Sequence, residues 1–303
     1  MMKQNQKGLT LKQSGWIFCA ALLVLPCLNT LIFTVYVNIS SLRYAFTDDR
    51  TGLFTWANFE TAFLSFQDTS GGDSLFSALG NTLQYFLAEI LIIPISVALT
   101  FFLFKRIAGY NAFRIIFFLP SIIPGLVWVT AYKEIMSMNG VLGQLMEAIG
   151  QPMEVGVFKN PETATPALVA YTMWLGLAGG MLYYFSAMSR IPDSIFEAAL
   201  IDGFGPIREI FQIVLPLIGP TIGTLLLLKI AGFIGATGPI LLFTKGAAGT
   251  QTLNFILYYR VLEDPTGGIG VVSAIGIIMT VISLPLAFGS RFMINKYLPS
   301  IEY

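Results

Sequence analysis

The chain has 303 residues, 55% of them hydrophobic and 11% charged, with a formal net charge of zero. Soluble domains carry about 25% charged residues, so much of this surface faces something other than water, and no basic footprint points to nucleic acid. There is no histidine, which excludes Ser-His-Asp triads, H-E-x-x-H zinc sites and histidine proton relays together.

About 20 apolar residues cross the hydrocarbon core as a helix, and the sequence predicts an all-α integral membrane fold with six such helices. A short terminus, 1–15, precedes the first span, 16–39. That apolar stretch is long and Asn38-Ile39-Ser40-Ser41 is a poor cleavage site, so it reads as a span and not a signal peptide. It holds Cys19 and Cys27, eight residues apart along one helix and too far apart to bridge, with packing in the membrane as their expected role. A loop, 40–78, contains the turn formers Ser70-Gly71-Gly72-Asp73. A five-helix core over 79–290 follows, with spans at 79–104, 113–132, 167–187, 220–243 and 269–288, and 291–303 closes the chain. Asp264-Pro265-Thr266-Gly267-Gly268 marks the turn before the last span.

Charge orients the bundle. One set of connections holds the basic residues Lys3, Lys7, Lys12, Lys105, Arg106, Arg114, Arg190, Arg208, Arg291 and Lys296, which outnumber Asp193, Glu197, Asp202, Glu209 and Glu302. On the opposite side Arg43, Arg50, Lys133, Lys159, Lys245 and Arg260 are outnumbered by acidic residues, among them Asp48, Asp49, Asp68, Asp73 and Glu162. Positively charged loops stay in the cytoplasm, which predicts that both termini are cytoplasmic.

The loop at 190–216 is predicted to be two short helices with a sharp joint. Ser194 followed by Glu197 spells a capping box starting a helix at Ser194. Gly203 suits the left-handed residue that ends it, and Pro206 suits the first turn of the next. Ile207, Ile210, Phe211 and Val214 recur as one apolar helix face, Pro216 is expected to stop that helix, and Pro220 to open the fifth span. Such a face must be covered by its own bundle, by the lipid interface or by a groove on another protein.

The spelling of this loop resembles a known family. Glu197-Ala198-Ala199, Gly203, Ile213 and Leu215-Pro216 carry, complete and at the right spacing, the signature loop of permease subunits of binding-protein-dependent ATP-binding-cassette importers. Further likenesses point to the carbohydrate-uptake subfamily that includes the maltose permeases. They are Trp56-Ala57-Asn58-Phe59, Asn81-Thr82-Leu83, Leu119-Pro120 with Pro124, Phe243-Thr244-Lys245-Gly246 and Gly270-Val271-Val272-Ser273-Ala274. Where many relatives have a Phe-Asp pair late in the fifth span, this chain has Thr237-Gly238-Pro239. The resemblance implies a type I importer bundle in a bacterial cytoplasmic membrane. It implies a second permease subunit, two ATPase subunits carrying ATP and Mg, and an extracellular solute-binding protein. It places Glu197, Ala198, Ala199, Asp202, Gly203, Ile207 and Phe211 at or near the ATPase contact. This chain has no G-x-x-x-x-G-K-[ST] phosphate loop, so energy must come from a partner or an ion gradient. No catalytic, metal or cofactor site is expected on it.

Charges inside the bilayer cost about 2.5–3.5 kcal/mol on insertion scales and need a reason. Glu89 and Lys229 are the two within spans, and they read as a polar pathway, as a structural ion pair, or as partners of a second permease. Sugars are held by aromatic faces and hydroxyl or amide hydrogen bonds. Tyr171, Trp174, Lys229, Thr237 and Asn254 are therefore the candidate pathway residues, each with ordinary packing as the competing role. Gly176, Gly179 and Gly180 suit close helix packing, and Pro94, Pro124 and Pro285 suit kinks. The competing functions are a permease for a polyol or glycerol-phosphate, an ion-driven secondary transporter, which would show paired broken helices, and a membrane-embedded enzyme.

Overall fold

A computed structural model describes residues 11–67, 74–263 and 268–297. Lys3, Lys7, Glu302 and the turns at Ser70-Gly71-Gly72-Asp73 and Asp264-Pro265-Thr266-Gly267 lie outside the described residues. Among those described, every regular element is a helix. Five helices are long and apolar enough to cross a membrane, or six when the bent pair Tyr110–Ile122 and Gly125–Ile135 is counted as one span. The chain divides into two compact units.

The first unit comprises residues 1–62 and 264–277. Its span, Phe18–Ala45, buries none of its most apolar stretch within the chain, and Cys19 and Cys27 are both exposed free thiols on it. A π-helical stretch at Thr30–Tyr36 follows Pro26, and the Thr30 hydroxyl donates to the Pro26 carbonyl at 2.9 Å. Beyond the span, Phe46, Phe54, Trp56 and Phe59 form an aromatic cluster with centroids 4.9–5.9 Å apart. Asn58 sits beneath it and donates to the carbonyls of Ala45 and Thr47 at 3.2 and 2.9 Å. A Cβ at Gly270 would stand 2.5 Å from Asn58 Nδ2, so only glycine fits there. Beside it, the Arg50 and Thr51 amides donate to Asp48 Oδ1 and hold its carboxyl below the usual range.

The second unit comprises residues 63–263 and 278–303. Its second span, Leu75–Phe104, starts four residues before the apolar run because Ser74 caps it, accepting from the Ser77 amide at 3.1 Å. The fourth, Pro161–Met188, is extended in the same way by the Asn160 cap, with Pro161 in the first turn. These two helices are the heart of the unit. Gly180 lets them approach, since a Cβ there would stand 3.2 Å from Ser96 Oγ. At Gly179 a Cβ would meet nothing within 4 Å, so this glycine faces open space instead of a helix seam.

Two spans depart from the predicted rods. The run 113–132 is broken into Tyr110–Ile122 and Gly125–Ile135, which meet at 111°. Pro124 forces the preceding Ile123 into an extended conformation (φ −81°, ψ 136°), so the chain turns where a kink was expected. Pro94 and Pro285, by contrast, stay inside continuous helices. The fifth span runs Pro206–Ala231 instead of 220–243. Pro216 does not stop it: proline offers no N–H to the preceding turn, and a π-helical turn at Ile210–Val214 absorbs the misfit, with the Leu215 amide bonding the Ile210 carbonyl. After Ala231 the chain becomes irregular through Gly232, Gly235, Gly238 and Pro239, with one helical turn at Ile240–Phe243.

Asn81 ties this irregular region down. Its amide donates to the carbonyls of Gly249 and Gln251 at 2.7 and 2.8 Å, while Thr82 Oγ1 accepts from the Leu253 amide at 3.1 Å. The loop so held contains left-handed Lys245, Gly246, Ala248 and Gly249. Replacing Asn81 with Ala removes two hydrogen bonds, which costs about 1–3 kcal/mol. Thermal denaturation of the purified protein should show a lowered midpoint, and an unchanged midpoint would mean the loop is held by other contacts.

Candidate functional site: a loop helix and a charged cavity

The loop between the fourth and fifth spans carries a helix at Asp193–Ile201. It begins one residue before the predicted capping box: Pro192 is the N-cap, no side chain caps it, and Asp193 places a carboxylate in the first turn. Its other end is built as the glycine predicts. Gly203 has φ +72°, the Phe204 amide reaches the Ala199 carbonyl at 2.9 Å, and the Gly203 amide reaches that of Leu200 at 3.2 Å. This is a Schellman closure, which turns the chain sharply into Pro206, the first residue of the next helix.

The apolar face read as one from the sequence is two. Ile210 and Val214 are buried in a cluster with Val97, Phe101, Tyr184 and Met188. Ile207 and Phe211 are 69% and 65% exposed, and they share the loop with Leu200 and Ile201 at 78% and 86%. Of the other predicted contact residues, Glu197, Ala198, Asp202 and Gly203 are exposed, while Ala199 is buried inside the chain.

A feature the sequence did not signal holds this loop in place. Glu209 is buried and ion-paired with Lys105 at the end of the second span. Lys105 Nζ also lies 4.3 Å from the Phe196 ring centroid. Lys105 reads in the sequence only as one more topology-setting charge. Lys105, Phe196, Glu197, Leu200, Phe204 and Glu209 line a cleft of about 310 Å³ under the loop helix.

Between the helices, Lys229 Nζ stands 3.5 Å from Glu89 Oε2, so the two intramembrane charges face each other. They border a cavity of about 480 Å³ floored by Gly176, Gly179 and Gly180. A second cavity of about 530 Å³ shares Glu89, Gly176 and Ala236 with the first and is lined by Tyr171, Thr172 and Thr237. Of the candidate pathway residues, Lys229, Tyr171 and Thr237 thus border these spaces. Trp174 packs edge-on against Trp128 at 4.7 Å, and Asn254 donates to the Gly235 carbonyl at 3.1 Å, so both brace the walls. The irregular backbone at Ala236–Pro239 lines the second cavity, as non-helical backbone at membrane depth does. Tyr85 crosses beneath Gly238, whose φ is +54° and whose Cβ would come within 2.8 Å of the ring.

Several known proteins resemble this chain. The family described as "Binding-protein-dependent transport system inner membrane component" matches residues 90–297. The probable ABC transporter permease protein YesP of Bacillus subtilis is 29% identical over 256 residues, 81% of this chain and 78% of YesP. The arabinooligosaccharides transport system permease protein AraP of the same organism is 26% identical over 292 residues, 90% of each chain. Among solved structures, a chain of a bacterial ABC transporter involved in import of the acidic polysaccharide alginate superposes with a TM-score of 0.78. That pair shares 22% identity over 93% of this chain and 96% of the other. The all-α permease fold expected from the sequence, with five to six membrane helices, is therefore the fold present, and the chain belongs to the family of inner membrane components of binding-protein-dependent transport systems.

Proposed function

We propose that this chain is the membrane-spanning subunit of an ATP-driven importer of sugars or oligosaccharides. It forms half of the translocation pathway in a bacterial cytoplasmic membrane, with both termini in the cytoplasm. ATPase subunits grip it at the loop between the fourth and fifth spans, and ATP and Mg reside on them. A second permease subunit completes the pathway, and an extracellular solute-binding protein delivers the solute.

The observation that carries this reading is the exposed apolar set Leu200, Ile201, Ile207 and Phe211 on a loop fixed by a Schellman turn and the Lys105–Glu209 ion pair. An apolar helix face on a stiff support fits a groove on a partner protein, and pre-set geometry reduces the ordering cost of docking. The names of relatives such as AraP support a sugar or oligosaccharide as the solute. A charge placed in the docking face tests the reading. Phe211→Asp should cut co-purification of the ATPase subunit about tenfold or more, since a desolvated unpaired charge costs several kcal/mol. Membrane insertion should stay normal. Uptake into proteoliposomes should follow ATP and not an imposed ion gradient. Gradient-driven uptake without ATP would point instead to a secondary transporter.

A further inference from the structure

We propose that the Glu89–Lys229 pair is a charge filter that makes the pathway take uncharged, hydroxyl-rich solutes and turn away carboxylate-bearing ones. The inference rests on reading the two adjoining cavities as the solute path.

Four observations carry it. Glu89 and Lys229 are the charged groups among the described residues lining either cavity, so the lining has no net charge to attract an ion. Their separation of 3.5 Å is longer than a tight charge-assisted hydrogen bond of about 2.7–2.9 Å. Neither head group has another hydrogen-bond partner among the described residues. Both side chains are partly open, at 36% for Glu89 and 27% for Lys229. The carboxylate can thus accept further hydrogen bonds and the ammonium can donate them. A sugar hydroxyl does both at once, so neighbouring hydroxyls can bridge the pair without breaking it.

A carboxylate solute meets a different balance. It can use Lys229 only in competition with Glu89, and whichever anion loses is left without a counter-ion at membrane depth, where an uncompensated charge is expensive. A neutral solute leaves the pair intact. Glycines at positions 176, 179 and 180 keep side chains out of the space beside it, and Thr172 and Thr237 offer further hydroxyls.

The test uses the complete importer in nanodiscs, with Cys19 and Cys27 replaced by Ser and Gly179→Cys added as a reporter. A Cβ at that glycine meets nothing within 4 Å, so the thiol reports the cavity without crowding it. Protection of this thiol from a maleimide is measured with trigalacturonate and with its fully methyl-esterified form, which match in stereochemistry and differ in charge. The parent should be protected by the ester at concentrations about tenfold lower than by the free acid, and Glu89→Gln, which leaves Lys229 unpaired, should reverse that order at low salt. The exchange Glu89→Lys with Lys229→Glu should restore the preference for the ester, which separates charge pairing from folding. An unchanged ester-to-acid ratio in Glu89→Gln, with protection intact, overturns the filter and leaves the cavity as the path. A thiol protected by neither compound, nor by maltotriose or xylotriose, removes both readings.

Discussion

Gly203→Val should uncouple transport: uptake driven by ATP falls about tenfold while the protein still inserts and the ATPase subunits still hydrolyse ATP. The reason is conformational alone. Gly203 has φ +72°, and a Cβ there meets nothing within 4 Å, so steric clash with neighbours plays no part. A β-branched residue in the left-handed region is an outlier costing about 1–2 kcal/mol. The Schellman closure is a local structure of two hydrogen bonds, from Phe204 to Ala199 and from Gly203 to Leu200, and that cost is enough to open it. Once open, the joint no longer fixes Leu200 and Ile201 relative to Ile207 and Phe211, and the apolar set ceases to be one surface. Gly203→Asn supplies the control, because asparagine tolerates this conformation and should retain most coupling. The comparison is made in proteoliposomes as solute imported per ATP hydrolysed. A Val variant with the parent's ratio would show that this turn does not transmit the ATPase motion.

The same glycine shows what a sequence makes legible. A left-handed closure is a local event that glycine signals by itself, and the apolar spans follow from bilayer thickness, so both were readable. Prolines were not, because their effect depends on what surrounds them. Pro124 breaks its span at 111°, whereas Pro94 and Pro285 sit in unbroken helices. Pro216 is carried by a π-helical turn that no residue spacing announces. That turn also explains the divided apolar face. The pattern at Ile207, Ile210, Phe211 and Val214 assumes 3.6 residues per turn, but the helix widens from Ile210 onward. Ile210 and Val214 therefore rotate into the core, while Ile207 and Phe211 stay outside. Ala199 belongs to the signature motif yet is buried within the chain, on the inner side of the loop helix. The Glu89–Lys229 pairing was one of several readings of two lone charges, and only the packing of the second and fifth spans brings them face to face. Lys105 and Glu209 are 104 positions apart in sequence, and nothing local announces their meeting.

Lys105→Met should damage the protein more than Glu209→Gln, and the double variant should recover much of the loss. Removing the lysine leaves a buried carboxylate without a counter-ion. Such a loss costs about 3–5 kcal/mol in a closed interior, and the lower end applies because the Lys105 side chain is 33% exposed and water reaches the pair. Neutralising Glu209 is milder: the lysine head can turn toward solvent and keep its place over the Phe196 ring. Thermal midpoints of the purified complex and ATP-driven uptake should rank Glu209→Gln above the double variant and the double variant above Lys105→Met. Additive losses in the double variant would show that the two side chains do not act as a unit. The stakes extend beyond stability, because the two ion pairs join the same two helices at different heights. Lys105 and Glu89 belong to the second span and its C-cap, Glu209 and Lys229 to the fifth. At 1.5 Å per residue, the pairs are separated by about 24–30 Å along the helices. The loop that would meet the ATPase and the cavity that would meet the solute are thus joined by one helix pair, the cavity lying halfway along the second span and at the far end of the fifth. A displacement at Glu209 that the turn at Ile210–Val214 does not absorb carries along the fifth span to Lys229, so Lys105→Met should also weaken the ester-over-acid preference set by Glu89 and Lys229.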